Sequence, residues 1–363
     1  MLIRSLRGMF THLDLVLLLS LLPLYAFGLL TMNSYTGDNA FFDRQVWWVL
    51  LGIGTILLAS IPDYRFLRRT SVIVLLFVVG AGLLALLFLI GSTFQGAQSW
   101  FNFGLFAIQP SEPAKLILIL ILAKYFSRRH VEIANFRHVA VSGAYALALF
   151  TLVLIQPDFG SAIILFLIWF GMVLLAGLSR RHLLLIALLA VSSFGFLWFY
   201  GFEDYQKNRV FTFLNPLADI RGAGYNAYQS MVAVGSGELL GKGIGYGTQS
   251  KLLFLPEYET DFIFAAFAEE WGLLGALLVL GLFSAVLWRI LALSREMETN
   301  FERLFGIGLA LFLFAQMGIH IGMNIGLLPV TGITLPFMSY GGSHIITEAI
   351  GIGVLLGMRR RSS

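Results

Sequence analysis

The sequence predicts an all-α polytopic membrane protein with ten transmembrane helices and one long extracytoplasmic loop. Three observations carry that expectation. Of the 363 residues, 58% are hydrophobic and 12% are charged, whereas a soluble domain is nearer half apolar and a quarter charged. Apolar runs of about 18 residues or more recur along the whole length, each long enough to cross ~30 Å of hydrocarbon. Basic residues cluster in alternate loops, as a positive-inside topology requires.

The spans are expected at 13–32, 45–61, 72–91, 107–125, 139–156, 160–178, 183–200, 271–291, 304–328 and 341–357. The first comes after a basic start, "MLIRSLRGMF", but its apolar run continues to Met32 with no small-x-small cleavage site, so it reads as a retained span. Span two opens on "DNAFFDRQVWW", span four on "IQPSEPAKL", and "IQPDFGSA" separates spans five and six. With the N-terminus inside, the inner loops hold Arg4 and Arg7; Arg65, Arg68 and Arg69; Lys124, Arg128, Arg129 and Arg137; Arg180 and Arg181; Arg289, Arg295 and Arg303; and Arg359 to Arg361. These are seventeen of the twenty-four basic residues. Five of the other seven lie in the long loop, which the rule does not count. Both termini are therefore expected on the cytoplasmic side.

The chain reads as a single membrane domain over 1–363, and the loop at about 201–270 is the one segment large enough for soluble structure. It is glycine-rich ("RGAGYNAYQSMVAVGSGELLGKGIGYGTQS") yet too apolar to stay solvated, which suits a folded re-entrant or interfacial segment. Within it "GSGELLGKG" imitates a phosphate-binding loop. Aligned on Gly241-Lys242, however, Ser236 stands at the first glycine and Gly243 at the Ser/Thr position. The segment also faces the side of the membrane without ATP. The absence of cysteine excludes disulfides, thiolate metal sites and cysteine nucleophiles. A net charge of +4 carries little meaning in such a chain, and no nucleic-acid partner is expected.

Polar residues beside hydrocarbon are costly and so informative. Asp43 and Arg44 start span two beside Trp47 and Trp48, as interfacial anchors or as outer-face functional groups. Trp100, in "QGAQSWFNFG" (Gln95 to Gly104), is expected exposed in an outer loop, where membrane-belt anchoring competes with a functional role. Ser111 suits a helix cap and Pro113 a first turn. Glu112 and Lys115, three apart, form either a structural ion pair or part of an anion site. Asp158 comes after Pro157 in a tight turn, where turn chemistry or pairing with Lys115 accounts for it. In "LPEYETDFIFAAFAEEWG", Thr260 is expected as N-cap, with Asp261 in the first helical turn. Glu269 and Glu270 are expected at the outer interface, since the apolar run begins at Trp271.

Together these stretches resemble the SEDS family of bacterial cell-wall proteins, and within it the elongation branch more than the division branch. The resemblance spans essentially the whole chain. It rests on "QPSEPAKL", "QPDFGSA", "RVFTFLNPLADIRGAGYNAYQSMVAVGSGELLGKG", "GTQSKLLFLPEYETDFIFAAFAEEWG" and "GLLPVTGITLPFMSYGGS". It implies a peptidoglycan glycosyltransferase of cell elongation in the bacterial cytoplasmic membrane. That enzyme polymerises lipid II, a disaccharide-pentapeptide on undecaprenyl pyrophosphate, at the outer face. It also implies a class B penicillin-binding protein transpeptidase as partner, with other elongation-complex membrane proteins. The family's essential aspartate falls on Asp261. Its other implicated polar positions fall on Arg44, Trp100, Glu112, Lys115, Asp158 and Arg209. Two positions depart from the family pattern: Glu259 stands where histidine is usual, and His344 where a small residue is common. Glu259 adds negative charge that would raise the pKa of Asp261.

Such a reaction joins an acceptor sugar hydroxyl to the anomeric carbon of the donor and expels a lipid pyrophosphate. One inversion calls for a base to take the hydroxyl proton and for positive charge at the leaving group. Asp261 suits the first role. Arg44, Lys115 and Arg209, all expected at the outer surface, suit the second, with a divalent cation (Mg or Mn) as an optional aid. The alternative is a lipid II flippase, but charges that crowd the outer ends of nearly charge-free spans fit a transporter less well.

Overall fold

The computed structural model describes residues 13–34, 40–94, 97–104, 106–128, 136–215 and 224–360. Arg4, Arg7, Arg129 and Arg361 of the inner loops, and Gln95, lie outside the described residues. Helices occupy all ten expected span positions: α1 Leu15–Asn33, α2 Ala40–Ala59, α3 Thr70–Ile90, α4 Ser111–Ser127, α5 Phe136–Ile155, α6 Phe159–Leu175, α7 Arg180–Tyr200, α11 Ile263–Arg295, α12 Asn300–Asn324 and α13 Gly342–Arg359. Among the described residues seven of these are long and apolar enough to cross a membrane. Of the other three, α6 is apolar but short, while α4 and α13 hold charged residues in their interiors. Length and composition alone thus give seven spans rather than ten.

In α4 an almost unbroken apolar run from Leu116 to Ala123 is buried on nearly every side, as expected of a helix hydrophobic all round. It packs on α3, α6 and α12, while α13 packs on α2, and α11 on α1 and α12. At the opposite extreme only Ile186 of α7 is buried, so that helix is peripheral. One end of the bundle is tied by ions. Asp14 caps α1 through Leu17 N–H at 3.0 Å and pairs with Arg289 at 2.6 Å and Arg359 at 2.8 Å, joining α1, α11 and α13. Arg68 pairs with Glu302 in the first turn of α12.

Several sequence expectations are corrected at this level. Span four begins at Ser111 rather than 107, because residues 92–108 form a small antiparallel sheet, β1 Ser92–Phe94, β2 Ala97–Asn102 and β3 Ala107–Ile108. Trp100 is therefore a half-buried strand residue rather than an exposed loop anchor, and its carbonyl accepts from Ser92 Oγ at 2.9 Å. Pro110, not Ser111, stands at the N-cap of α4. The freed Ser111 hydroxyl instead reaches Asp158 Oδ2 at 3.4 Å and Ser161 Oγ at 3.2 Å. Span nine ends at Asn324, four residues early.

The long loop contains α8 Asp204–Leu214, α9 Tyr225–Ser236 and the short α10 Thr248–Lys251. The last helix of this region, Ile263 to Trp271, is the first part of α11 and is separated from the apolar span by a break at Gly272 (φ 67°, ψ −165°).

Candidate active site around Asp261

The glycines of "GELLGKG" serve the break in α11. A broken helix frees backbone groups that must be re-satisfied away from water. Here the loop takes them up: Leu273 N–H donates to Glu238 O at 2.9 Å, Lys242 N–H to Glu269 O at 3.0 Å and Gly243 N–H to Glu270 O at 3.0 Å. Backbones approach so closely that a Cβ on Gly241 would lie 2.1 Å from Glu270 O, and one on Gly272 would lie 2.3 Å from Gly241 N. The motif that imitates a phosphate loop is thus a backbone splice. Glu269 and Glu270 are buried in it, not at the interface. Glu269 accepts from Lys242 Nζ at 2.6 Å and Gln249 N–H at 3.0 Å, and Glu270 from Gly245 N–H at 2.9 Å.

This splice holds the helix that begins just after Asp261. Thr260 is not its N-cap: Phe262 is, and Thr260 Oγ turns back to Glu257 Oε2 at 3.1 Å. Asp261 therefore precedes the helix in a tight turn whose Thr260 and Phe262 N–H groups both donate to Glu257 O at 3.1 Å. Two buried hooks fix the turn. On one side Asn324, at the end of α12, donates from Nδ2 to Asp261 O at 2.9 Å and accepts from Ala265 N–H at 3.0 Å. On the other, the "SYGG" turn is bound twice: Tyr340 N–H donates to Glu259 O at 2.7 Å and Ser339 Oγ to Thr260 O at 2.8 Å. Gln45 of α2, itself buried, grips that turn by donating to Ser339 O at 2.8 Å and accepting from Gly341 N–H at 3.2 Å. The backbone is over-determined while the carboxylate remains half-buried.

Asp261 Oδ2 faces Gly332, which has a left-handed backbone (φ 74°) and presents no side chain to the carboxylate. Burial pushes the Asp261 carboxyl up to about 7, Glu257 adds to the rise, Arg209 opposes it and Glu259 adds a smaller push. Glu259 thus acts in the expected direction, with Glu257 the stronger neighbour. Burial also raises Glu259 itself. A base with a pKa near neutrality is well matched to proton abstraction at physiological pH.

Arg209, exposed on α8, lines an open cleft with Gln206, Phe159, Phe202, Val330 and Thr331. Thr331 is next to Gly332, so this cleft adjoins Asp261. Asp158 lies on the same side. It caps α6 through Ser161 N–H at 3.0 Å and accepts from Gln109 Nε2 at 2.8 Å, so its partners are Gln109, Ser111 and the first turn of α6 rather than Lys115. Arg44 is exposed at the start of α2, beside Gln45. Lys115 is not at the outer surface. Only 2% exposed, it pairs with the buried Glu112 at 2.6 Å and stands over the Phe312 ring at 5.4 Å. The structure thus brings Arg209 to Asp261, links Asp158 to the adjoining loop, and sets Glu112 and Lys115 beneath.

Sequence reasoning missed Gln45, Asn324, Ser339 and Glu348. Each is a buried polar residue next to an apolar run, which is a usable signal. Nor are span interiors nearly charge-free: Glu348 lies inside α13, fully buried.

Comparison with known proteins points the same way. The family model FTSW_RODA_SPOVE, described as "Cell cycle protein", matches residues 6–363. The chain is 36% identical over 349 residues to the peptidoglycan glycosyltransferase MrdB of Escherichia coli, covering 96% of this chain and 93% of that one. It is 35% identical over 359 residues to the stage V sporulation protein E of Bacillus subtilis, covering 96% and 97%. Among solved structures, a chain of a peptidoglycan synthase complex that coordinates polymerization and crosslinking superposes with TM-score 0.81 at 31% identity, covering 96% and 98%. The rod shape determining protein RodA of Thermus thermophilus superposes with TM-score 0.71 at 29% identity, covering 96% of each.

Proposed function

The chain belongs to the FtsW/RodA/SpoVE family, the SEDS proteins, and from that premise we propose that it polymerises lipid II with Asp261 as the general base. It is a polytopic membrane protein and a peptidoglycan glycosyltransferase of cell elongation. The observation that carries the finer reading is a half-open carboxylate, pushed up to about 7, on a turn fixed from both sides, with Arg209 in electrostatic range.

In this reading the acceptor hydroxyl gives its proton to Asp261 as its oxygen attacks the anomeric carbon of the donor. The bond from that carbon to the pyrophosphate oxygen breaks on the opposite face, and the lipid pyrophosphate leaves with the electron pair. Arg209, beside the cleft, and Arg44 supply positive charge to the leaving group. Trp100 and Asp158 shape the adjoining outer loops, and Glu112 and Lys115 support the site from beneath.

A divalent cation, Mg or Mn, would offset charge on the pyrophosphate. Among the described residues no three His, Asp or Glu side chains converge as ligands. A cation that arrives on a phosphate needs only one or two carboxylates. Glu259, whose buried Oε2 lacks a hydrogen-bond partner among the described residues, suits that role.

The partner in this reading is a class B penicillin-binding protein, with other membrane proteins of the elongation complex around it. Of the five glycines Gly272, Gly275, Gly281, Gly306 and Gly308 on α11 and α12, four are internal: Gly272 meets Gly241, Gly275 meets Trp271, Gly306 meets Ser294 and Gly308 meets Ile119. A Cβ at Gly281 would meet nothing within 4 Å, and Leu274, Leu277, Leu278 and Trp288 are exposed along the same helix. An anchor helix fits there. The ion-paired end around Asp14 is then cytoplasmic, with both termini.

Purified chain given labelled lipid II in detergent, with and without the partner, tests the reading. Glycan chains are expected, since detergent has no leaflets to exchange between. Lipid movement in vesicles without any glycan product in either medium would favour a flippase instead.

A further inference from the structure

Beneath the "SYGG" turn lies a group of buried polar residues that the reaction does not use. Glu348 of α13 is fully buried, and its Oε2 accepts from the backbone N–H of Phe337 at 3.1 Å. Phe337 has a left-handed backbone, φ 64°. That conformation is uncommon for a bulky residue and persists where surrounding structure over-determines it. Here three contacts do so. The Phe337 ring packs edge-on against Tyr25 at 5.6 Å and tilted against Phe283 at 6.4 Å, and its N–H is held by Glu348.

The turn at Phe337 sets the direction of the chain beyond it. Two residues later, Ser339 Oγ accepts from Leu335 N–H at 2.7 Å and donates to Thr260 O at 2.8 Å, one residue before Asp261. The next residue, Tyr340, donates to Glu259 O at 2.7 Å. A continuous path therefore runs from the Glu348 carboxyl along the chain from Phe337 to Ser339 and Tyr340, and from these two into the backbone leading to Asp261. The nearby cation, Lys115, is already paired with Glu112 at 2.6 Å. Glu348 Oε1 has no hydrogen-bond partner among the described residues. A buried carboxyl whose one hydrogen bond among the described residues goes to a strained peptide, and which forms no salt bridge there, is placed to act as an acceptor.

We propose that Glu348 is a positioning residue that holds Asp261 in its working geometry by accepting the Phe337 N–H. The inference rests on the reading of Asp261 as the base. A displacement of about 1 Å at a reacting group is worth about a hundredfold in rate, so a loosened turn acts on turnover. Substrate binding depends on Arg209 and the cleft, which Glu348 does not touch.

The test is steady-state lipid II polymerisation by the full chain with its partner, comparing Glu348→Gln, Glu348→Asp and Glu348→Met. Glutamine keeps an acceptor at the same reach without charge, and aspartate keeps the charge but draws the acceptor back from Phe337. The expected result is Glu348→Gln within a few-fold of wild type, with Glu348→Met lowered about 10- to 100-fold in kcat and KM little changed. Glu348→Asp should be lowered similarly, so the Gln–Asp contrast decides the matter even where the methionine variant does not fold. Active Glu348→Asp with inactive Glu348→Gln would overturn the proposal in favour of charge, and equal activity of all three would overturn it outright. Asp261→Asn measured alongside separates the two readings. If it polymerises, the base assignment fails; if it is dead while the Glu348 variants are indistinguishable, only the positioning role fails.

Discussion

Asn324 donates from Nδ2 to the carbonyl of Asp261 at 2.9 Å and at the same time accepts from Ala265 N–H at 3.0 Å. One buried amide thus joins the end of α12 to the turn before α11 and to that helix's first turn. Asn324→Leu would leave both backbone groups unpaired, at about 1–3 kcal/mol each in stability. Asn324→Asp keeps the acceptor for Ala265 and loses the donor to Asp261. We expect the leucine variant to melt earlier and to lose polymerisation, and the aspartate variant to be better folded yet still impaired. Full activity in both would mean that the Asp261 turn does not need this hook.

The pH profile should report Asp261. With its carboxyl pushed up to about 7, the base is increasingly protonated below neutrality, and kcat/KM should fall about tenfold per pH unit there. Removing a negative neighbour lowers that value, so Glu259→Gln should move the acid limb to lower pH. Arg209→Ala should move it to higher pH. A limb that stays put in both variants would contradict the assignment.

The same shift has a stability consequence. The unfolded aspartate loses its proton at about 3.9, whereas the folded one keeps it to about 7. Within that window the folded state binds more protons, so this residue's contribution to stability falls as pH rises and is flat above it. Asp261→Asn removes the buried charge and should melt at or above the wild-type temperature at about pH 8, beyond that window. A clear loss of thermal stability would indicate that the carboxylate is structural.

Glu112 and Lys115 form a buried pair at 2.6 Å, and breaking one partner of such a pair typically costs about 3–5 kcal/mol. Either alanine variant should therefore express poorly or melt early. The charge swap should not recover wild-type behaviour, because a carboxylate in place of the cation at position 115 would face Phe312 and lie in range of Glu348. Melting curves of the two singles and the swap decide this, and a swap as stable and active as wild type would reduce the pair to a simple ion bridge.

Partner binding should discriminate among the glycines. Gly281→Leu fills an open face of α11 and should weaken co-purification of the single-helix partner while the chain still folds. A side chain at Gly308 would meet Ile119 at 2.6 Å, so Gly308→Leu should harm folding first. Undiminished co-purification with Gly281→Leu would move the interface elsewhere.

The spans were legible because a hydrocarbon environment imposes length and apolarity directly, and helices stand at every expected position. Asp261 and Asp158 stood out in the sequence as polar residues at the ends of apolar runs, whereas Arg209 came only from the family resemblance. The hidden features share a physical cause: hydrogen bonds between residues far apart in the chain carry no local periodicity. Gln45 to Ser339, Ser339 to Thr260 and Asn324 to Asp261 are of that kind. The small sheet at 92–108 was hidden because its strands are too short for alternation to show. The glycines around Gly241 looked like ligand chemistry because a close backbone approach and a phosphate cradle require the same residue.

The most direct test of the central claim is the polymerisation of labelled lipid II by purified Asp261→Asn, in detergent and with the partner present. Asparagine keeps the volume and the backbone hydrogen bonds and removes the proton acceptor. Normal expression and partner binding are expected, with product formation lowered about 10²–10⁴-fold or more. Glycan chains at a rate within a few-fold of wild type would contradict it.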